Sequence, residues 1–373
     1  MLALPATETS SVSAAVLRRQ IDQAIQAAGG WLPFEGFMAL ALYAPGLGYY
    51  ARDGRQFGAM PATGSDFVTA PELTPAFGKA LAAQVQQALS QSGTDELWEF
   101  GAGSGALAED LLGALGAQVR CYSIVEVSGA LRERQRERLA HLGPRVRWLD
   151  ALPDQMQGVV IGNEVLDAMP VQLLCWDGRQ WLERGVVSGD NGYLWQERPT
   201  PDCPPVDGRH DLRFAPGSVT ETHRHAEAFI ATLAERLLLG AAFFIDYGFP
   251  ESEYYHTQRV GGTLMCHRAH LADTDPLTDV GCKDITAHVN FTGIALAGQN
   301  AGLEVLGYTS QARFLLNCGL VEHMQSLSVQ ARANAYKLVH EHEMGELYKV
   351  IGFARGRDFA AMGFADGDRT HTL

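Results

Sequence analysis

The 373-residue sequence has few cysteines, few basic residues and no long hydrophobic run. Its six cysteines are scattered, with no Cys-x-x-Cys pair and no histidine at metal-ligand spacing, which predicts buried free thiols and no metal site. Lys and Arg number 29 against 43 Asp and Glu, and the net charge of −14 disfavours nucleic acid as a partner. No stretch reaches the roughly 18 apolar residues that a membrane span requires. These absences predict a soluble protein.

The start of the chain lacks the features of a targeting segment. No basic residue precedes Arg18, so neither the charged start of a secretory signal nor an arginine-rich transit peptide is present. We therefore expect a cytoplasmic protein. With 46% hydrophobic residues, the chain can bury a large core in one or two domains.

Apolar runs alternate with helical patterns along most of the chain. Strands are predicted at 96–100, 119–126, 146–149, 158–162, 241–247, 303–309 and 347–354. Helices are predicted at 104–115, 128–142 and 219–239. This alternation predicts an α/β fold with a mostly parallel sheet and helices on both faces.

Two regions depart from this alternation. Residues 1–95 hold a helical start and then a stretch rich in glycine, proline and aromatics, and residues 173–215 alternate around Asp177-Gly178 and Asn191-Gly192, two hairpin turn signals. We interpret the second region as an inserted β-hairpin lobe. The predicted division is an N-terminal helical and lid region (1–95), a cofactor-binding half-core (96–172), the lobe (173–215), the remaining core (216–356) and a tail (357–373).

The sequence EFGAGSG at 99–105 carries the strongest chemical signal, because glycines between a strand and a helix let the backbone approach a ligand. Gly101, Gly103 and Gly105 therefore predict a nucleoside-bearing cofactor. Gly101-x-Gly103-x-x-Ala106 also satisfies the dinucleotide fingerprint. Glu99 favours S-adenosylmethionine, because its carboxylate would repel a pyrophosphate but suits an amino group and a sulfonium.

Acidic residues also end the next two predicted strands. Glu126 lies 21 residues past Gly105, where a carboxylate can accept hydrogen bonds from both ribose hydroxyls. Asp150-Ala151, after the third strand, is predicted to lie beside the adenine. A helix cap or turn is an equally good interpretation of Asp150.

The fourth predicted strand ends in GNEVLDAMP at 162–170. Since open α/β sheets bind ligands at the carboxyl ends of their strands, Asn163, Glu164 and Asp167 are predicted at the mouth of the site. The two acids could grip a guanidinium. The local alternative makes Asp167 a helix N-cap and puts Glu164 on a solvated face. The Asn/Asp-Pro-Pro-aromatic turn of nucleic-acid amino methyltransferases is not found at this position.

Six blocks together resemble the MidA-like class I methyltransferases, a family that includes a mitochondrial enzyme that methylates an arginine of a respiratory complex I subunit. The blocks are GSDFVTAPE at 64–72, EFGAGSG at 99–105, NEVLDAMP at 163–170, IDYG at 245–248, DITAHVNF at 284–291 and EMG at 343–345. The similarity runs from about residue 31 to 353.

The resemblance implies a seven-strand methyltransferase sheet, S-adenosyl-L-methionine as donor and a protein arginine as acceptor, with a respiratory complex subunit as a candidate substrate. It also implies a lid over the cofactor that includes Gly64, Asp66 and Thr69. By spacing alone, His288 is better explained as a hydrogen-bonded residue at a helix start, and the resemblance adds a catalytic role.

The chain departs from the family pattern in two places. It has Ser104-Gly105-Ala106 where Arg-Gly-Thr is common, and Asn290 where Asp is common. A different class of function also remains open, namely an assembly or scaffold protein that keeps the cofactor fold and has lost turnover.

Overall fold

The computed structural model describes residues 6–52, 69–206, 214–268, 271–325 and 327–373. The helices are α1 (Ala6–Ala27), α2 (Phe34–Tyr43), α3 (Ala70–Leu73), α4 (Pro75–Ser92), α5 (Ala106–Leu115), α6 (Gly129–Leu139), α7 (Arg224–Arg236), α8 (Glu251–Tyr254), α9 (Phe291–Asn300), α10 (Gln311–Asn317), α11 (Leu320–Gln325), α12 (Val329–Lys337) and α13 (Met344–Leu347). The strands are β1 (Leu32–Pro33), β2 (Glu96–Phe100), β3 (Cys121–Val125), β4 (Val146–Leu149), β5 (Met156–Asn163), β6 (Gln172–Trp176), β7 (Trp181–Gly189), β8 (Gly192–Pro199), β9 (Val219–Thr222), β10 (Leu237–Phe249), β11 (Met265–Arg268), β12 (Leu271–Asp273), β13 (Asp284–Thr286), β14 (Val289–Asn290), β15 (Glu304–Ser310) and β16 (Tyr348–Arg355).

The central sheet orders seven strands as β15, β16, β10, β5, β2, β3, β4, and β14 pairs briefly with the end of β10. The ladders from β10 to β4 are parallel, whereas β16 runs antiparallel between β10 and β15. The predicted seven-strand, mostly parallel sheet is therefore confirmed. Its parallel strands all end at one edge, where the side chains that follow them meet.

Both faces of this sheet are covered by helices. Phe243 and Phe244 are neighbours on β10 and enter different cores, since side chains alternate along a strand. Phe243 packs with Phe77 of α4 and Phe314 of α10, while Phe244 packs in the core that contains Ile230 of α7. Each fully buried phenylalanine contributes about 1.5–3 kcal/mol.

The predicted hairpin lobe forms an antiparallel sheet in the order β1, β7, β6, β9, with β8 beside β7. Its strands β1 and β9 come from outside 173–215, and α1 and α2 contribute Leu17, Phe37 and Met38 to its core. A hairpin with one apolar face must be covered, and local patterns do not reveal which distant segment covers it. The second turn also shifts: Gly189 pairs with Gly192, so the turn residues are Asp190 and Asn191. The division into five segments stays a prediction.

The helix predicted at 219–239 is wrong at both ends. Residues Val219–Thr222 form β9 and pair with β6, the helix α7 is confined to Arg224–Arg236, and β10 already begins at Leu237. Val219, Thr220 and Thr222 are β-branched and favour a strand once a partner strand is available. The amphipathic pattern is a local feature of the sequence and therefore could not predict the pairing of β9 with β6.

The thiol prediction holds for only part of the cysteines. Cys121, Cys175, Cys266 and Cys318 are buried, whereas Cys203 is exposed and Cys282 is half-buried. The tail packs on the central sheet: Phe364 is buried in its core, and an Asp368 carboxylate oxygen accepts the N–H of Tyr308 at 2.9 Å. In the described ranges, no helix is long and apolar enough to cross a membrane.

Candidate active site

A cavity of about 950 Å³ lies at the carboxyl ends of β2, β3, β5 and β10. One part is lined by the glycine loop, by Glu126 and by the residues that follow it. The other part is lined by the loop after β5, by tyrosines from the N-terminal region and by side chains near β13. The cavity is therefore large enough for a nucleoside cofactor and a second ligand side by side.

The glycine loop between β2 and α5 takes a backbone conformation that other residues rarely adopt. Gly101, Gly103 and Gly105 have φ values of 61°, 52° and 84°. A Cβ atom on Gly101 would also lie 3.0 Å from Cγ2 of Val165. The loop thus needs glycine for its shape, and it presents the start of α5 to the cavity.

Glu99 lines the cavity beneath this loop. Its side chain is buried, and its Oε2 accepts a hydrogen bond from the Tyr122 hydroxyl at 2.7 Å. Burial raises the pKa of Glu99 to about 7, although the tyrosine bond favours the ionised form. A cation beside Glu99 would restore its charge.

Glu126 directly follows β3 and also lines the cavity. Its Oε1 accepts the N–H of Ser128 at 2.9 Å, and its Oε2 accepts Nε2 of Gln135 at 3.2 Å. Burial raises the pKa of this carboxyl. Asp150 and Ala151 are not among the described residues that line the cavity; the Asp150 carboxylate is largely exposed and pairs with Arg132. Both residues lie in a solvated turn after β4, and their position beside the adenine stays a prediction.

Asn163 is the last residue of β5, Glu164 and Asp167 lie on the loop that follows it, and all three line the cavity. Glu164 has a φ of 52°, a strained value for a residue with a side chain. Its Oε2 accepts the Tyr348 hydroxyl at 3.1 Å, and its Oε1 accepts Nδ2 of Asn163 at 3.1 Å. Removal of the carboxylate from water and the neighbouring Asp167 raise the pKa of Glu164 to about 8.

Asp167 is almost fully buried and accepts a hydrogen bond from Tyr247. Burial raises its pKa to about 6. No helix follows it, since residues 164–170 form turns, so the alternative of a helix N-cap is excluded. Both acids face the cavity, as the strand-end argument requires.

His288 lines the cavity between two aromatic rings. Its ring stacks on Phe249 with centroids 5.2 Å apart and meets the edge of Tyr247 at 4.9 Å. Burial, with Arg259 nearby, lowers the pKa of His288 to about 4, so the imidazole is neutral at ordinary pH. His288 thus presents a neutral imidazole to the cavity, and the catalytic role that the resemblance implies for it stays a prediction.

The lid and the two departures from the family pattern have different outcomes. Thr69 lines the cavity at the start of α3, whereas Gly64 and Asp66 lie outside the described residues. At the first departure, Arg138 donates to Ser104 at 2.9 Å and to Glu72 at 3.1 Å, so α6 supplies a guanidinium next to the glycine loop. At the second, Asn290 caps α9 by accepting the N–H of Gly293 at 3.3 Å.

Several functional candidates were missed because no local pattern marks them. Tyr43, Tyr50, Tyr247 and Tyr348 line the cavity, and burial holds the pKa of each well above its usual range. Asp284 also lines it and accepts the Tyr50 hydroxyl at 2.9 Å. The signal available was that Asp284, Tyr247 and Tyr348 lie in or beside the blocks that resemble the family.

The charge of the cavity wall is of one sign. Among the described lining residues there are five carboxylates and neither a lysine nor an arginine. The carboxylates belong to Glu99, Glu126, Glu164, Asp167 and Asp284. The lining histidines, His267 and His288, have pKa values lowered by burial. The described wall thus holds acidic groups and no permanent positive charge, which suits a positively charged ligand.

The strand order, the three-glycine loop after β2 and the carboxylate after β3 define a class I S-adenosylmethionine-dependent methyltransferase. The dinucleotide alternative loses its support, since Glu99 lies in the wall where a pyrophosphate would have to sit. The chain belongs to the MidA-like S-adenosyl-L-methionine-dependent methyltransferase family, whose sequence profile matches residues 78–309.

Relatives agree with this assignment. A protein from Burkholderia thailandensis, crystallised with S-adenosyl-homocysteine bound, is 49% identical with a TM-score of 0.94, and each chain covers all of the other. The zebrafish protein arginine methyltransferase NDUFAF7, mitochondrial, is 27% identical over 93% of this chain and 89% of its own length. The homologue of the latter in Caenorhabditis elegans is 26% identical over 78% of this chain and 74% of its own. The predicted cytoplasmic location is overturned, because these curated relatives are named as mitochondrial proteins.

Proposed function

We propose that this methyltransferase transfers a methyl group to an arginine side chain of a protein. The observation that carries the proposal is the cavity wall, in which five carboxylates face a space that no described lysine or arginine lines. The donor can account for Glu99 through its cationic amino group and for Glu126 through its ribose hydroxyls. Glu164, Asp167 and Asp284 remain for a second cation, the acceptor.

The donor half of the cavity fits S-adenosylmethionine. The glycine loop has no side chains there, so the donor can lie directly against its backbone. Glu99 suits the amino group of the donor, and Glu126 suits its two ribose hydroxyls. Asn163 and Thr69 complete this half of the wall. When bound, the donor supplies a methyl carbon already activated by a sulfonium.

The acceptor half must bind a guanidinium and take up one proton. A guanidinium is always protonated in proteins, and methylating one of its nitrogens releases a proton while the product keeps its positive charge. In the free protein Glu164 has a pKa of about 8; arrival of the cation favours its ionised form, and this carboxylate then accepts the proton that methylation releases. Asp167 and the hydroxyls of Tyr247 and Tyr348 hold the acceptor in line.

The names of the relatives support arginine as the acceptor, since the zebrafish and nematode proteins are named protein arginine methyltransferases. The family resemblance adds a subunit of a respiratory complex as the protein substrate. The four tyrosines around the acids also suit a delocalised, planar cation.

Labelled donor, purified protein and a lysate from cells that lack this protein test the proposal. We expect one or few labelled protein bands, and acid hydrolysis of the labelled protein should yield methylarginine. Methyllysine alone would refute arginine as the acceptor. A protein that binds donor but labels nothing would support the scaffold alternative.

The variants Glu164→Gln and Asp167→Asn test the role of the acids, because each keeps shape and removes charge. We expect donor affinity within a few-fold of the parent and methyl transfer lower by at least about a hundredfold. Glu235→Gln makes the same chemical change on an exposed face of α7 and should transfer at the parental rate. Parental rates in both cavity variants would refute the guanidinium site.

A further inference from the structure

Asp246 is a buried carboxylate that holds the backbone of the loop that carries Glu164 and Asp167. It lies near the end of β10 and is 1% exposed. Its Oδ2 accepts the N–H groups of Val165, Leu166 and Asp167 at 3.1, 2.9 and 3.2 Å. Its Oδ1 accepts the N–H of Tyr247 at 2.9 Å. Both carboxylate oxygens are thus occupied by backbone donors.

Such an arrangement gives one side chain control over a whole loop. Three consecutive N–H groups can converge on one oxygen only if the loop curls around it, much as at the start of a helix. The residue just before this curl, Glu164, has a φ of 52°, and its own N–H is bonded to the carbonyl of Ile245 at 2.9 Å. The strained backbone of Glu164 is therefore stabilised by hydrogen bonds to Ile245 and Asp246 of β10 on both sides of it.

We propose that Asp246 is a positioning residue for methyl transfer, which fixes the carboxylates of Glu164 and Asp167 toward the acceptor. This inference rests on the proposed function of those two acids. Asp246 is not counted among the lining residues of the cavity, so it acts through the loop and not by touching the acceptor. No local sequence pattern links it to residues about 80 positions away.

Other titratable groups surround Asp246. The loop after β5 brings Glu164 and Asp167 near it, and Tyr247 follows it on β10. On β16, Tyr348 lies nearby and Lys349 is the ladder partner of Asp246, although the Lys349 ammonium lies 3.7 Å from a carboxylate oxygen of Glu346. Burial, and then the charges of Asp167 and Glu164, raise the pKa of Asp246 well above its usual range, so Asp246 acts on these two acids through their position.

Asp246→Asn tests this role. The amide offers one oxygen where two face N–H donors, so at least one backbone N–H meets another donor. We expect kcat to fall by at least about tenfold, with the Kd for S-adenosyl-homocysteine within about threefold of the parent.

Asp246→Glu tests position directly. It keeps an acid at this site but moves the carboxyl group by one methylene, so kcat should fall as in Asp246→Asn. Asp368→Asn is the control, since Asp368 also accepts a backbone N–H, from Tyr308, and does not line the cavity; it should leave kcat unchanged.

Hydrogen exchange of the parent protein tests the anchor even if the variants fail to fold or no acceptor is found. The amides of residues 165–167 should exchange at least about a hundredfold more slowly than in an unstructured peptide. Exchange at the unstructured rate would overturn the anchor itself. Protected amides with a parental kcat in Asp246→Asn would overturn the positioning role. Protected amides in a protein that transfers no methyl group would count against the proposed function and leave the anchor standing.

Discussion

Donor binding should depend on pH through Glu99. This carboxyl is 2% exposed and has a pKa of about 7, so it is roughly half protonated in the free protein at neutral pH. The donor carries a cationic amino group that suits the ionised form only. Binding must therefore displace the proton, and affinity must rise as pH passes through 7.

The expected size follows from the ionised fraction. With a pKa of about 7, that fraction rises from about one tenth at pH 6 to about nine tenths at pH 8, so the Kd should fall by about tenfold. Glu126, whose pKa is also raised, acts in the same direction. Glu99→Gln removes this part of the dependence and weakens binding most at pH 8.

The stability of the free protein should show the opposite trend. A carboxyl whose pKa is raised on folding stabilises the folded state most at low pH, and that contribution is lost as pH rises from about 4.5 to 7. For Glu99 the shift from 4.5 to about 7 corresponds to about 3 kcal/mol. Relative to its effect at pH 4.5, Glu99→Gln should therefore stabilise the free protein above pH 7 by up to that amount.

Calorimetric titration with S-adenosyl-homocysteine at pH 6, 7 and 8 measures the binding trend, and thermal unfolding at the same pH values measures stability. Tyr122→Phe is the matched variant, because it removes the hydrogen bond that favours ionised Glu99 and should move the transition to higher pH. A Kd that stays within twofold from pH 6 to 8 in the parent would refute the reasoning.

Two further predictions concern the donor half of the cavity. Gly103→Val should abolish the rise in melting temperature caused by S-adenosyl-homocysteine, because φ at this position is 52° and valine would distort the loop. Gly113→Ala on α5, where a Cβ meets nothing within 4 Å, is the control and should keep the rise. An equal rise in both variants would place the cofactor elsewhere. Glu126→Ala should weaken donor binding by at least about tenfold through loss of charge-assisted hydrogen bonds, checked by calorimetry with the far-UV spectrum as a control for folding; an unchanged Kd would move the ribose acid to another residue.

The sequence alone predicted the fold class, which the structure confirms, and named most residues of the proposed donor half of the site. A strand-to-helix turn is predicted by the three glycines Gly101, Gly103 and Gly105, because a positive φ is a local property of the backbone that favours glycine. Glu99 and Glu126 could be placed because a strand end and its next residues are also local features. The acids of the loop after β5 followed from the rule that parallel strands end at one edge.

Tertiary structure alone decided how the acceptor half is assembled. Tyr43 and Tyr50 come from the N-terminal region, Asp284 from β13 and Tyr348 from β16, and their meeting depends on contacts between segments hundreds of residues apart. The antiparallel entry of β16 between β10 and β15 is likewise a matter of long-range pairing.

The raised pKa values of the buried acids could also be recognised only in the folded structure. A sequence shows that Glu164, Asp167 and Asp246 are acids, but only burial and mutual proximity raise their pKa values. Both effects depend on the water excluded and the charges brought near when the chain folds. For the same physical reason the anchor at Asp246 was invisible in the sequence, since it joins a side chain to backbone N–H groups about 80 residues away.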